Sequence, residues 1–166
     1  IRSYIKNAFV TFIKANYPET EAIAGVATTG IPQGALVADV LNLPFVYVRS
    51  EAKKHGLSKQ IEGKIQENQK VVVIEDLVST GGSSLKVVET LRQANMQVLA
   101  LLSIMTYGFE LSVQSFREAK LNFHSLTTYN HILREAMKRD LISEKAMASL
   151  QEWRKNPEKW EISEIQ

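Results

Sequence analysis

A short run of β-branched residues, Val71 to Ile74, constrains the fold of this chain more than any other segment. Such an unbroken apolar run is typical of a strand that is buried on both faces, as in a parallel sheet. Two carboxylates, Glu75 and Asp76, follow it directly, and a small turn rich in hydroxyl groups and glycine occupies residues 79–84. Helical spacing of apolar residues begins within that turn. The segment therefore predicts a strand, a turn and a helix in direct succession.

The same alternation of strand and helix patterns continues along the rest of the chain. The predicted strands lie at Ala22–Val26, Phe45–Val48, 71–74, Gln97–Ile104 and 121–126. The predicted helices lie at 1–15, Ile31–Leu41, 83–94, 109–119, 127–138 and 143–154. A polar stretch at 50–64, which carries two glycines, is predicted as a long loop. This alternation favours an α/β fold with an open, mainly parallel sheet and helices on both faces.

Length and composition exclude several kinds of protein. The chain has 166 residues, and we expect a single domain over 1–166. The absence of cysteine excludes disulfides, thiolate metal sites and a cysteine nucleophile. A net charge of +2 supplies no argument for a nucleic-acid or membrane partner, and no apolar run approaches the roughly 20 residues of a membrane span. We expect a cytoplasmic protein that binds neither nucleic acid nor a membrane.

The carboxyl end of the strand at 71–74 is where we expect a ligand. Open parallel sheets bind ligands just past the carboxyl ends of their strands. The turn at 79–84 offers backbone N–H groups at a helix N-terminus, which suits an anion, while Glu75 and Asp76 could hold hydroxyl groups or a hydrated metal ion. Together these features suggest a sugar phosphate. The alternative is a strand end with solvated acids and an ordinary helix cap.

A second loop, Gly25 to Gly30, has the glycine spacing of a phosphate-binding loop. Ile31 and Pro32 follow it, where a nucleoside-triphosphate loop needs Lys and Ser or Thr, and the chain has no GxGxxG motif. ATPase and dinucleotide-binding functions are therefore disfavoured. The loop lies between a predicted strand and a predicted helix, where backbone amides can bind an anion. An ordinary strand-to-helix turn is the alternative.

The predicted loop at 49–64 is basic. It has two acidic residues, Glu51 and Glu62. Its basic residues are more numerous: Arg49, Lys53, Lys54, Lys59 and Lys64. A loop of this length is uncommon in a compact domain unless it is functional or disordered. A solvated surface loop is the usual alternative for such a charged stretch.

Segment 71–84 resembles the phosphoribosyl diphosphate (PRPP) signature of type I phosphoribosyltransferases. That signature has four apolar residues, two acids, two apolar residues and a Ser/Thr/Gly loop, and every position is matched here. The resemblance implies that the acids Glu75 and Asp76 face the ribose hydroxyls and that Ser79–Ser83 cradle the 5′-phosphate. Gly81 and Gly82 are expected to let the backbone approach the phosphate with positive φ. The residues that the resemblance assigns to PRPP are Arg49, Lys53, Lys54, His55, Glu75, Asp76, Leu77, Val78, Ser79, Thr80, Gly81, Gly82 and Ser83.

The resemblance also assigns the pyrophosphate and the metal. The loop of Ala27, Thr28, Thr29 and Gly30 corresponds to the family's pyrophosphate loop, in which a non-proline cis peptide is expected near Ala27–Thr28. Mg²⁺ is the implied cofactor, held mainly by PRPP rather than by protein groups.

The basic loop resembles the mobile catalytic loop of orotate phosphoribosyltransferases, because Arg49, Lys53, His55 and Gly56 match its pattern. The resemblance implies transfer of phosphoribosyl from PRPP to orotate in pyrimidine biosynthesis. Lys53, His55, Glu75 and Asp76 are the implied catalytic residues, and Ser79 is implied to contact orotate. It further implies a homodimer in which loop 49–64 completes the partner's site. Two other functions stay open: a purine phosphoribosyltransferase, and a non-catalytic PRPP-sensing regulator that binds nucleic acid.

The chain departs from the family pattern at three places. Thr29 stands where many members have Lys, and Met105–Gly108 lacks the Arg that often contacts the orotate carboxylate. The N-terminal segment that builds a hood over the base is expected to be absent. Among other residues, His124 and His131 are interpreted as structural, and Trp153 and Trp160 as helix-packing residues.

Overall fold

A computed structural model describes residues 1–49 and 60–157. Within them, six strands form one sheet in the order β3-β2-β1-β4-β5-β6. The strands are β1 Ala22–Val26, β2 Phe45–Val48, β3 Ile61–Glu62, β4 Lys70–Val78, β5 Gln97–Thr106 and β6 Phe123–Thr128. Every neighbouring pair is parallel except β2 and β3, which are antiparallel. The predicted α/β fold with a mainly parallel sheet is confirmed.

Six helices accompany the sheet in the described ranges. They are α1 Arg2–Asn16, α2 Gly30–Leu41, α3 Gly82–Gln93, α4 Glu110–Glu118, α5 Tyr129–Lys138 and α6 Glu144–Lys155. Each agrees with a predicted helix to within a few residues at either end, which is the usual uncertainty of helix boundaries. No helix in the described ranges is long and apolar enough to cross a membrane.

The apolar run in β4 is buried on both faces of the sheet, as the sequence predicts. Val71 and Val73 belong to one core cluster, which also holds Val88 and Leu91 of α3. Val72 and Ile74 belong to a second cluster on the other face, which α1 and α2 complete. Side chains alternate between faces along a strand, so a run of consecutive apolar residues supplies both cores.

Four strand predictions are wrong in detail. Strands β5 and β6 each end two residues beyond their predicted ends, at Thr106 and Thr128, and β6 begins two residues later than predicted. Residues 61 and 62, predicted as loop, form β3, because Ile61 and Glu62 pair with Val48 and Tyr47 to close a hairpin. A strand this short carries no periodic signal. Strand β4 also continues beyond Ile74 to Val78, since Leu77 and Val78 pair with Met105 and Thr106 of β5. The acid pair therefore lies within β4 rather than after it.

The strand order places a crevice between β1 and β4. The chain passes from β1 to β2 in one direction across the sheet, and from β4 to β5 in the opposite direction. Helices α2 and α3, which follow β1 and β4, pack on opposite faces of the sheet. Ligands of open α/β sheets bind at such a reversal point, past the carboxyl ends of the strands. Loops 27–29 and 79–81 both lie at this point.

Candidate active site

The turn after β4 exposes hydroxyl groups at the start of α3. Ser79, Thr80 and Ser83 are exposed, whereas Ser84 is buried. No side chain caps the first turn of α3, so backbone N–H groups there are available to an anion. This geometry suits a phosphate group.

Only one of the two glycines in this turn has the expected backbone conformation. Gly81 has φ +82°, and a Cβ there would lie 2.6 Å from Cζ of Phe116. Gly82 lies outside the positive-φ region and has open space around its Cβ position. The expectation of positive φ at Gly82 is therefore wrong, because Gly82 already forms the first turn of α3.

Glu75 and Asp76 have different surroundings although they are neighbours. Glu75 is 3 % exposed, and both of its carboxylate oxygens accept hydrogen bonds: Oε1 from the Asp76 N–H at 3.1 Å and Oε2 from the Ser84 hydroxyl at 3.1 Å. Burial, reinforced by the Asp76 side chain, raises the pKa of Glu75 to about 8. Asp76 is half-buried on the crevice. Asp76 is therefore the carboxylate that a ligand reaches first.

The loop after β1 is held close to β4. A Cβ on Gly30 would lie 2.5 Å from the Ile74 carbonyl oxygen, so glycine is required for this approach. The Thr29 hydroxyl donates a 2.8 Å hydrogen bond to Oδ1 of Asp76. Thr28 and Thr29 are exposed, and the cis peptide expected near Ala27–Thr28 is present between those residues. The two candidate anion loops therefore flank a single carboxylate.

Arg49 lies at the base of the β2–β3 hairpin, beside the same crevice. Its N–H donates to the Gln60 carbonyl at 3.0 Å, and its guanidinium forms a 3.4 Å ion pair with Glu62. A cavity of about 340 Å³ separates Arg49 and Ala27 from Ser83 and Lys86. Lys53, Lys54 and His55, predicted as site residues, lie outside the described residues.

The end of β5 adjoins the end of β4 on the other side of the crevice. The Tyr107 N–H and the Thr106 hydroxyl both donate to the Val78 carbonyl, at 3.0 and 3.2 Å. Trp153 of α6 packs edge-on against Tyr107, with ring centroids 5.2 Å apart. The prediction that Trp153 packs a helix is confirmed, while Trp160 lies outside the described residues.

The two histidines that were interpreted as structural have protein partners. Nε2 of His124 lies 2.8 Å from the Tyr17 hydroxyl, beside α1. His131 contacts Thr128 in the cap of α5. Burial lowers the pKa of His124. Neither residue adjoins the loops at the crevice.

The donor set at the crevice fits a cation held mostly by its ligand. Among the described residues, no three His, Asp or Glu side chains converge as a metal cage. Asp76 offers carboxylate oxygen, the donor type that Mg²⁺ prefers, and Mg²⁺ commonly binds through one or two carboxylates and substrate phosphates. These residues are therefore compatible with a phosphate-bound Mg²⁺ ion.

Sequence reasoning missed the contacts that shape this site. The Thr29–Asp76 and Ser84–Glu75 hydrogen bonds join residues that are distant in the chain, and no motif marks them. The available signal was that Thr29 and Ser84 both lie at the beginning of a helix that follows a strand.

Comparisons with known proteins agree with this geometry. A family model described as "Phosphoribosyl transferase domain" matches residues 1–114. The chain is 46% identical over 159 residues to the orotate phosphoribosyltransferase of Cytophaga hutchinsonii, covering 96% of this chain and 76% of that protein. It is 49% identical over 161 residues to the orotate phosphoribosyltransferase of Bacteroides fragilis, covering 97% and 76%.

Solved structures show the same fold. The orotate phosphoribosyltransferase of Aeropyrum pernix superimposes with a TM-score of 0.69 at 27% identity, covering 80% of this chain and 74% of that one. The UMP synthase of Leishmania donovani superimposes with a TM-score of 0.79 at 22% identity, covering 92% of this chain and 32% of that one.

Proposed function

Because the chain belongs to the phosphoribosyl transferase domain family and matches orotate phosphoribosyltransferases over nearly its whole length, we propose that it transfers phosphoribosyl from PRPP to orotate. The products are orotidine 5′-monophosphate (OMP) and pyrophosphate, and the reaction belongs to pyrimidine biosynthesis. The observation that carries the proposal beyond family membership is the Thr29–Asp76 bond, which brings two anion loops to one carboxylate.

The proposed position of PRPP follows from the loops. The 5′-phosphate lies on Ser79–Ser83, at the uncapped start of α3. The ribose hydroxyls lie at Asp76, and the buried Glu75 supports the backbone of Asp76 by accepting its N–H. Leu77 and Val78 are the last residues of β4 and connect Asp76 to the phosphate loop. The pyrophosphate lies toward the loop of residues 27–30 and the guanidinium of Arg49.

The chemistry requires no nucleophile from the protein. The bond between the anomeric carbon and pyrophosphate breaks, and a ring nitrogen of orotate gives up its proton and bonds to that carbon, which has cation character in the transition state. The main task is to stabilise the negative charge that grows on pyrophosphate. Arg49, Lys53, Lys54 and His55 are the proposed cationic groups for this task. Bound Mg²⁺ would neutralise part of the same charge.

We also propose a homodimer in the cytoplasm. Loop 49–64 would close over the partner's site, so that Lys53 and His55 act on PRPP bound by the other subunit. Closure would exclude water, which would otherwise hydrolyse PRPP. Support for this part comes from the family resemblance of Arg49, Lys53, His55 and Gly56.

An acceptor comparison tests the proposal. Purified protein with PRPP and Mg²⁺ is supplied with orotate, uracil or hypoxanthine, and pyrophosphate release is measured. We expect release with orotate and little with the other two bases. Preferential use of hypoxanthine would establish a purine enzyme instead. Tight PRPP binding by calorimetry without turnover of any base would favour the PRPP-sensing regulator.

A further inference from the structure

The strand order identifies the side of the site from which the acceptor must approach. In an inverting displacement at an anomeric carbon, the acceptor enters from the face opposite the leaving group. The pyrophosphate loop follows β1, on one side of β4, whereas residues 107–109 follow β5, on the other side. On the proposed function, on which this inference rests, the acceptor therefore lies toward the end of β5.

Helix α6 supplies a guanidinium at that end of β5. Nε of Arg154 donates to the Tyr107 carbonyl at 2.7 Å, and Nη2 donates to the Gly108 carbonyl at 2.8 Å. The Gly108 N–H in turn donates to the Thr106 hydroxyl at 3.0 Å. Because Thr106 and Tyr107 also donate to the Val78 carbonyl of β4, the segment is tied to both β4 and α6. A guanidinium has more N–H donors than these two bonds use. Nη1 of Arg154 makes no hydrogen bond in the part of the chain that the structure describes.

A cavity beside Arg154 reaches the phosphate loop. Its volume is about 530 Å³, and its lining includes Thr80 of that loop, Phe109, Leu111 and Arg154. Two further charged side chains line it, Glu110 and Lys155, but Lys155 is paired with Glu152 at 2.6 Å. Arg154 is half-buried and is fixed by two carbonyls, and it forms no ion pair among the described residues. The lining thus combines the apolar side chains of Phe109 and Leu111 with the fixed guanidinium of Arg154, and Glu110 is its one acidic residue.

We propose that Arg154 is a specificity-determining residue that recognises the carboxylate of a planar acceptor. A guanidinium held at two of its nitrogens can present its remaining N–H groups to a carboxylate with little loss of side-chain entropy. Residues 105–108 contain no cation of their own, so the charge at this end of β5 comes from α6. Trp153 packs edge-on against Tyr107 and at a tilt against Tyr129, and these contacts hold α6 in place.

The test compares two nucleotides that differ only in the carboxylate. OMP carries it and uridine 5′-monophosphate (UMP) lacks it, while both share the phosphate and the ribose. Their dissociation constants are measured by calorimetry for the full chain and for Arg154→Gln. We expect Arg154→Gln to weaken OMP binding by about tenfold or more, the usual effect of losing a hydrogen bond to a charged group, and to leave UMP binding within about twofold.

Matched variants separate recognition from packing. Lys155→Gln removes a neighbouring charge and should leave the OMP/UMP affinity ratio unchanged. Trp153→Leu loosens α6 and thereby displaces the guanidinium, so it should also lower the OMP/UMP affinity ratio, by less than Arg154→Gln does. If Arg154→Gln does not fold, Arg154→Lys replaces it in the test. Lysine keeps the charge but cannot donate two parallel hydrogen bonds to a carboxylate, so this variant should also lower the OMP/UMP affinity ratio. An OMP/UMP affinity ratio that stays unchanged in the Arg154 variants, whether or not both affinities fall, would overturn the assignment. If the unmodified chain does not transfer phosphoribosyl to orotate, the proposed function fails, which is a separate result.

Discussion

The Thr29 hydroxyl donates a 2.8 Å hydrogen bond to Oδ1 of Asp76, and this bond links the loop after β1 to the loop after β4. Both residues lie at the crevice where the strand order reverses. The donor is a neutral hydroxyl, so the carboxylate is oriented without a neighbouring cation from this loop. The bond therefore positions the acid that we propose contacts the ribose.

Replacing Thr29 should test this positioning. Thr29→Val keeps the shape of the side chain but removes the donor, and we expect kcat/KM for PRPP to fall about tenfold, because the lost bond is to a charged group. Thr29→Ser keeps the donor and should retain most of the activity. Thermal unfolding of both variants should match the unmodified chain, since Thr29 is exposed. Equal activity in the two variants would show that the bond has no role in turnover.

Removing the acid pair should abolish most turnover. The double variant Glu75→Gln, Asp76→Asn keeps the size of both side chains but removes the charge at the proposed ribose site. We expect turnover to fall at least about a hundredfold, with circular dichroism unchanged. Near-normal activity in a folded double variant would remove Asp76 and Glu75 from the mechanism.

The buried Glu75 should make stability depend on pH. Its pKa is raised from the ordinary value of 4.5 to about 8, so between these pH values the folded state keeps a proton that the unfolded state releases. The unfolding free energy should therefore decrease as pH rises from about 4.5 to about 8. Glu75→Gln lacks this titration. Urea unfolding should show Glu75→Gln gaining at least about 1 kcal/mol relative to the unmodified chain between about pH 5 and about pH 8.5. An identical difference at both pH values would contradict the expected titration.

The two glycines of the phosphate loop should respond differently to substitution. Gly81→Ala places a Cβ against Phe116 at positive φ, and we expect a loss of about 1–3 kcal/mol in stability together with loss of PRPP binding. Gly82→Val meets open space, so its stability should change little while its side chain obstructs the phosphate. Calorimetry and urea unfolding separate these effects. Tight PRPP binding by Gly82→Val would exclude residues 79–83 as the phosphate site.

The basic loop should act across the proposed dimer. Because charge on pyrophosphate grows as its bond breaks, Lys53→Ala should lower kcat more than it raises the KM for PRPP. Asp76→Asn and Lys53→Ala should each be inactive alone. After subunit exchange, a mixture should regain activity, because one heterodimer site combines the intact acid of one chain with the intact lysine of the other. If exchange is confirmed and no activity returns, Lys53 acts within its own chain or not at all.

Local sequence alone determined all six helices, five of the six strands in the described residues and the location of the site. The boundaries of β1 and β2 were predicted to the residue, because their apolar runs are bounded by turns. The strand, acid and loop order at 71–84 also located the crevice, since ligands bind past the carboxyl ends of parallel strands. Each of these inferences uses residues that are close in the chain.

Tertiary structure decided which side chains meet at that site. Strand β3 exists because Ile61 and Glu62 find partners in β2, and β4 extends to Val78 because β5 lies beside it. Glu75 is buried under Ser84, and Arg154 reaches Gly108 from 46 residues away. Such contacts depend on how helices pack against the sheet, and they cannot be predicted from a local pattern of apolar and polar residues. The sequence therefore predicts where the site lies, and the packing of distant segments determines which groups face its ligands.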